Sequence, residues 1–286
     1  MRAPYITILL FLSSFMALGQ GFRQIPLKEQ AENAFEVYRW KSAGTLYDLL
    51  LVDSTSYTPL MARALFANVL ANDSLSISRA KKLFYRNYER VDSLLKDFKK
   101  LCVLTKRFDL YESALSELQK EYPDKKKFLQ LEMIHFRFFL RQPDEALLLI
   151  DESLNQEGRS LEMLDLKGEA FQLKGESDRA LAVYRSILAI DPLHINSNLY
   201  LGNYYYVYGF DALSKLNDTF SQLSLTIRMR DPAYLRQANT IWKVYLSHAY
   251  SYLDKVAAHS QNTQLLDNLK KLQAFKDQLD FANGFS

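Results

Sequence analysis

The chain has 286 residues, 36 basic and 33 acidic, for a formal net charge of +3. Its 9 glycines and 7 prolines are about half the average usage of roughly 12%, which leaves little material for the turns of an all-β sandwich or for a Gly-rich phosphate loop and favours long helices. Hydrophobic residues at 48% exclude a disordered chain, one cysteine excludes an intrachain disulfide framework or a multi-Cys zinc site, and a near-neutral balance gives no electrostatic argument for nucleic acid.

In chain order, residues 1–19 read as a cleavable secretory signal. Arg2 precedes an apolar run from Ile6 to Leu18, and Ala17-Leu18-Gly19 supplies small residues where a signal peptidase cuts, so the mature chain is expected to begin at Gln20. The run is shorter than the roughly 20 residues that span a bilayer. No Cys stands near the cut, so lipidation is not expected. Later apolar stretches are interrupted, as Met133 to Leu140 is by His135 and Arg137, so no transmembrane segment is expected after cleavage. These features predict a periplasmic or secreted protein.

Three helices follow from apolar spacing: one carrying Ala43, Tyr47 and Leu50, one carrying Ala80 and Phe84, and one carrying Leu115 and Leu118 before Pro123. Asp53-Ser54-Thr55-Ser56 and Ala71-Asn72-Asp73-Ser74 read as loops. Between Arg79 and Arg107 ten basic residues, among them Arg79, Lys81, Lys82, Arg86, Arg90, Lys96, Lys99 and Lys100, face only three acids. This block reads either as an ordinary solvated face or as a second contact for acidic protein, anionic lipid headgroups or an acidic glycan, that is, peripheral association with the envelope. Cys102, in Leu101-Cys102-Val103-Leu104, reads as a small buried hydrophobe.

Ala146, Ile150 and Leu154 mark a further helix, and from Asp144 to Asp178 the balance reverses, with ten acids against three bases. Leu164, Gly168, Phe171, Gly175, Ala180, Tyr184, Leu188 and Pro192 fall at the spacing of helix, tight turn, helix and stop. A shift of 34 residues maps Gly168 to Gly202, Phe171 to Tyr205 and Gly175 to Gly209, and carries Ala180 back to Ala146. These residues resemble the tetratricopeptide repeat, a helix–turn–helix unit, best in 161–194 and next in 195–218. The best unit departs from the family pattern at Lys167 and Ile187. A second helix is expected near Asp211, an insertion over 219–232, one long helix from Pro232 to Ala258 carrying Ala249, Leu253 and Val256, and a polar terminal helix over Thr263 to Phe281. The resemblance implies one all-α domain over 20–286, a right-handed superhelical solenoid of antiparallel helix pairs with about six to seven repeats and a C-terminal capping helix.

Residue patterns for catalysis are absent from the sequence: no GxSxG elbow, Walker loop, dinucleotide Gly fingerprint or metal-ligand spacing. The expectation is a non-enzymatic chain without a cofactor. By the resemblance it is a scaffold for protein–protein interaction, its partner held in a concave groove lined by first helices. In such repeats the groove-facing positions select Glu162, Asp165 and Glu169, then Asn196, Leu199 and Asn203, with Tyr206 one turn further. Three acids and a tyrosine there suit a basic or Lys/Arg-flanked aromatic segment of a protein or peptide. A receptor for a free peptide or small ligand, and an all-helical envelope hydrolase with a non-local site, remain as alternatives; nucleic acid is disfavoured by the export signal.

Overall fold

The computed structural model describes residues 25–51, 58–86, 90–258 and 261–284. The signal segment and the loop at 53–56 lie outside the described residues. The chain is all-α, with no strand among the described residues. It divides into two compact units, Met1–Pro123 and Asp124–Ser286.

Unit 1 holds α1 (Leu27–Glu36), α2 (Trp40–Leu50), α3 (Thr58–Ala71), α4 (Ser74–Arg86), α5 (Val91–Leu104) and α6 (Phe108–Glu121). Phe35 of α1, Phe66 of α3 and Phe98 of α5 form a chain of ring contacts at 5.7 and 6.3 Å, which Tyr111 of α6 extends at 6.2 Å. The odd-numbered helices therefore lie side by side, each aromatic about one helix pair further along the chain. Between α2 and α3 the approach is close. A Cβ on Gly44 would collide with the fully buried Asn68, whose amide donates to Asp48 at 3.3 Å.

Unit 2 continues with α7 (Lys126–Phe139), α8 (Pro143–Glu157), α9 (Leu161–Lys174), α10 (Ser177–Leu188), α11 (Ile195–Thr219), the short α12 (Leu225–Arg228), α13 (Pro232–Ile241), α14 (Ser247–Ala257) and α15 (Thr263–Asn283). Lys174 meets Asp144 while Lys167 meets Asp151, so α9 runs antiparallel to α8. Gly168 admits the Tyr184 ring so closely that an added Cβ would stand 2.5 Å from its Cζ. The core of this unit passes from Ile134, Ala146, Ile150 and Met163 to Phe171, Ala180, Tyr184 and Leu201, and then to Leu213, Tyr234, Leu246, Leu253 and Leu272.

The turns inside successive helix pairs share one backbone device. Tyr38, Asn72, Lys106, Arg141 and Gly175 adopt left-handed φ values of 60°, 50°, 56°, 58° and 74°. They follow one another at intervals of 34, 34, 35 and 34 residues. At four of them the next N–H reaches back to the carbonyl five residues earlier: Arg39 to Ala34, Arg107 to Cys102, Gln142 to Arg137 and Glu176 to Phe171, at 2.8 to 2.9 Å. This is the hydrogen bonding of a Schellman C-cap, which satisfies carbonyls that a helix end leaves open. Only the last of the five is glycine, so the sequence shows the period at one turn where the backbone repeats it at five.

The next step of that period falls on Gly209, and there the expectation fails. No turn forms and no helix begins near Asp211, because α11 runs unbroken from Ile195 to Thr219. Its apolar stripe continues through Gly202, Gly209, Leu213 and Leu216, and burying those two leucines at roughly 1.5–3 kcal/mol each outweighs the roughly 1 kcal/mol cost of glycine in a helix interior. The partner is equally long. From Pro232 to Ala257 the chain stays helical, passing through a π turn at Trp242–Leu246. Asp231 caps its start, accepting from the Ala233 and Tyr234 N–H groups at 2.7 and 3.1 Å ahead of Pro232. Gly202 faces Leu253 and Gly209 faces Leu246, which fixes an antiparallel register along the two helices.

Candidate binding face

Within unit 2 the helices α7, α9 and α11 come side by side through polar contacts on one face. Lys127 of α7 pairs with Glu162 of α9 at 3.7 Å, and the Asn196 amide of α11 donates to Asp165 of α9 at 2.6 Å. The structure thus brings Glu162, Asp165 and Asn196 together. Glu169, one turn beyond Asp165, is exposed and makes no ion pair among the described residues, and Asn203 is exposed on α11. Leu199 is half-buried and turns into the core of the C-terminal helices.

Asp165 is the most constrained of these groups. One carboxylate oxygen takes the Asn196 bond, and the other is buried with no hydrogen-bond partner among the described residues. Neighbouring Tyr184 has its hydroxyl pushed well above the ordinary tyrosine value, first by burial and then by the Asp165 charge.

Tyr206 is not a bare platform. Its ring is half-buried, packs on Phe210 at a centroid distance of 4.6 Å and leans on the C-terminal core. Burial raises its hydroxyl pKa. On the same helix Tyr208 is exposed, while Tyr200 and Tyr204 are half-buried against the core shared with α10; the three stand at i, i+4 and i+8, a stripe legible in the sequence. Lys127 has no such signal; it stands about one repeat before Glu162, and only its place on a neighbouring helix makes it a partner.

The acidic block is largely compensated away from this face. Asp144 and Glu176 share Lys174 at 2.6 and 2.8 Å, Arg179 joins Glu176 at 2.7 Å, Lys167 takes Asp151 at 2.7 Å and Arg137 takes Glu145 at 2.9 Å. Hydrogen bonds from Lys174 and Arg179 hold the Glu176 carboxyl below its ordinary pKa. On and beside α9, Asp165, Glu169 and, at the start of α10, Asp178 make no ion pair among the described residues.

The basic block of unit 1 does not form one open patch. Arg79 turns inward, donating to Thr45 at 2.8 Å and pairing with Asp48 at 3.3 Å. Lys81 crosses to Glu121 at 3.7 Å, Lys99 lies over the Tyr111 ring at 5.7 Å, and Lys100 pairs with Asp97 on its own helix at 3.1 Å. Lys82, Arg90 and Lys96 are exposed, and the Arg86 side chain lies outside the described residues. Cys102 is buried in α5; burial and then the Asp109 charge push its thiol up to about 12. The described residues contain no group of three His, Cys, Asp or Glu placed to hold a metal ion, and no helix among them is long and apolar enough to cross a membrane.

No family model matches the chain, and no curated protein does. Among solved structures it is similar to a Bacteroides ovatus protein named as a candidate protein-binding protein, with a TM-score of 0.49, 19% identity, and coverage of 66% of this chain and 99% of that one.

Proposed function

We propose that this chain is a non-enzymatic scaffold built as a right-handed solenoid of tetratricopeptide-like helix pairs, which holds a protein segment along the face of its first helices in the cell envelope or outside the cell. The observation that carries the reading is the recurrence of a left-handed turn residue at Tyr38, Asn72, Lys106, Arg141 and Gly175. A regular turn every 34 to 35 residues gives each pair the same exit geometry, so within each unit first helices follow one another on one side and offer a surface. The long α11 and its partner helix end the series, and α15 supplies the terminal cap that such stacks need. On α9 and α11 the partner meets Glu162, Asp165, Glu169, Asn196 and Asn203, which suits a segment carrying Lys or Arg. Reception of a free peptide uses the same surface but far less of it.

A photo-crosslinking side chain placed at Glu169 or Asn203 in the native cell tests this. It is expected to capture a protein partner that the same group at Ser186, exposed on α10, does not. The double substitution Asp165→Lys with Glu169→Lys should abolish the capture without changing the melting temperature. Capture that is undiminished in the folded double variant would overturn the reading.

A further inference from the structure

On α11, Tyr205 stands nine residues beyond Asn196, and steps of about 100° per residue put it on the opposite side of the helix from the contact with Asp165. Side chains of α10 and α14 meet it there. The Arg185 guanidinium of α10 donates to the Tyr205 hydroxyl at 2.7 Å. From α14, the His248 ring packs on Tyr205 at 5.2 Å, and Tyr252 stacks on it at 6.0 Å with 15° between the rings. Lys255 lies over the Tyr252 ring at 5.7 Å. His248, Tyr252 and Lys255 stand at i, i+4 and i+7, one stripe of α14. The two tyrosines are half-buried, and the three basic side chains are exposed.

These basic groups differ from others in unit 2 in what holds them. Lys167, Lys174, Arg179 and Lys215 each take a carboxylate at 2.6 to 2.7 Å. Arg185, His248 and Lys255 instead contact tyrosines, and make no ion pair among the described residues. No acid stands three or four positions from Arg185 or Lys255 along the chain either. The tyrosines orient the two cations without neutralising them: a hydroxyl takes one of the guanidinium N–H groups, and a ring face attracts the ammonium. Side chains ordered in advance lose less freedom when a ligand arrives.

We infer that Arg185, His248 and Lys255, set around Tyr205 and Tyr252, form a second recognition site, for an acidic segment of a protein. The guanidinium edge takes a carboxylate by paired N–H donors, the ammonium takes another as a point charge, and the imidazole adds a hydrogen bond between them. The two cations are held on different rings, 6.0 Å apart, so an extended chain meets both: carboxylates on alternate residues of such a chain repeat every ~6.6 Å. The site goes beyond the scaffold reading above and does not depend on it, because it lies across α11 from the acidic face and takes the opposite charge.

The test uses the purified chain and a fluorescent heptapeptide of alternating Gly and Glu, against the same peptide with Gln, which keeps the shape and removes the charge. Anisotropy should give binding about tenfold tighter for the Glu peptide, with Arg185→Gln plus Lys255→Gln weakening it about tenfold and His248→Gln about twofold. Tyr205→Phe keeps every charge and removes only the hydroxyl that holds Arg185, so a loss of about two- to threefold there reads the positioning itself. Lys100→Gln plus Lys120→Gln, two exposed cations of unit 1, removes the same charge elsewhere and should change binding less than about twofold. Equal binding of the Glu and Gln peptides, or equal loss in the two double variants at unchanged melting temperature, overturns the site. Displacement of the Glu peptide by inorganic phosphate, where sodium chloride of the same ionic strength leaves it bound, assigns the cluster to a single phosphate and overturns the acidic segment as its occupant.

Discussion

Arg141 holds a backbone conformation that costs an L-residue roughly 1–2 kcal/mol, whereas glycine at Gly175 holds the same conformation without that cost. Arg141→Gly should therefore stabilise the protein by about 0.5–1 kcal/mol once the greater freedom of glycine in the unfolded chain is subtracted, and Gly175→Ala should cost about 1 kcal/mol although nothing lies within 4 Å of the added methyl. Denaturant midpoints at unchanged slope check both. Gly168→Ala acts by a different route: its Cβ would meet three Tyr184 ring atoms at 2.5 to 2.9 Å, and because that ring is buried the cost should be about 1–3 kcal/mol in the same measurement. Gly168 and Gly175 are legible in the sequence because glycine announces close approach and positive φ. Tyr38, Lys106 and Arg141 are not, since their side chains carry no sign of a left-handed backbone. Cys102 gives a fourth expectation. With its thiol held up to about 12 by burial, the reactive thiolate is scarce at about pH 8 in the fold and abundant in the unfolded chain, whose pKa is near ~8.5. Alkylation at that pH should therefore track unfolding; rapid labelling of the native protein would show the site to be open.

Helix lengths are harder to read than helix types. All-α content follows from scarce breakers and apolar spacing, but Gly209 stands where Gly175 stands one repeat earlier, and only one of the two ends a helix. The difference lies on the C-terminal side of each glycine: Leu213 and Leu216 keep the α11 stripe alive, and the leucines that cover them come from a helix further along the chain. The same sequence distance hides the polar contacts, since block charges say nothing of whether Lys174 finds Asp144 or a partner does. The π turn has no sequence signature either. It carries one residue more than an α-turn of the same span, so deleting Val244, 46% exposed within it, should leave the melting temperature near that of the parent. Deleting Ser251 instead puts Asp254 and Ala257 where Leu253 and Val256 are now buried, losing two apolar side chains worth roughly 1.5–3 kcal/mol each. Equal damage from both deletions would show that the π turn holds no spare residue.

The whole chain is a succession of near neighbours. Contacts join each helix chiefly to the next one to three along the chain, within each of two compact units. Stability should accordingly be regional. Gly168→Ala is expected to lower amide protection across α8 to α11 and to leave α1 to α5 unchanged in native-state hydrogen exchange; a uniform loss over both units would show a single cooperative block. The turn repeated every 34 to 35 residues has a further consequence, in time rather than in space. Each closure joins segments separated by a few residues of loop, so the entropy of bringing them together is small and the topology is quick to form. A chain emerging N-terminus first can complete the helix pairs around Phe35, Phe66 and Phe98 while the acidic face of α9 is still unmade, and binding competence is then the last property the polypeptide acquires.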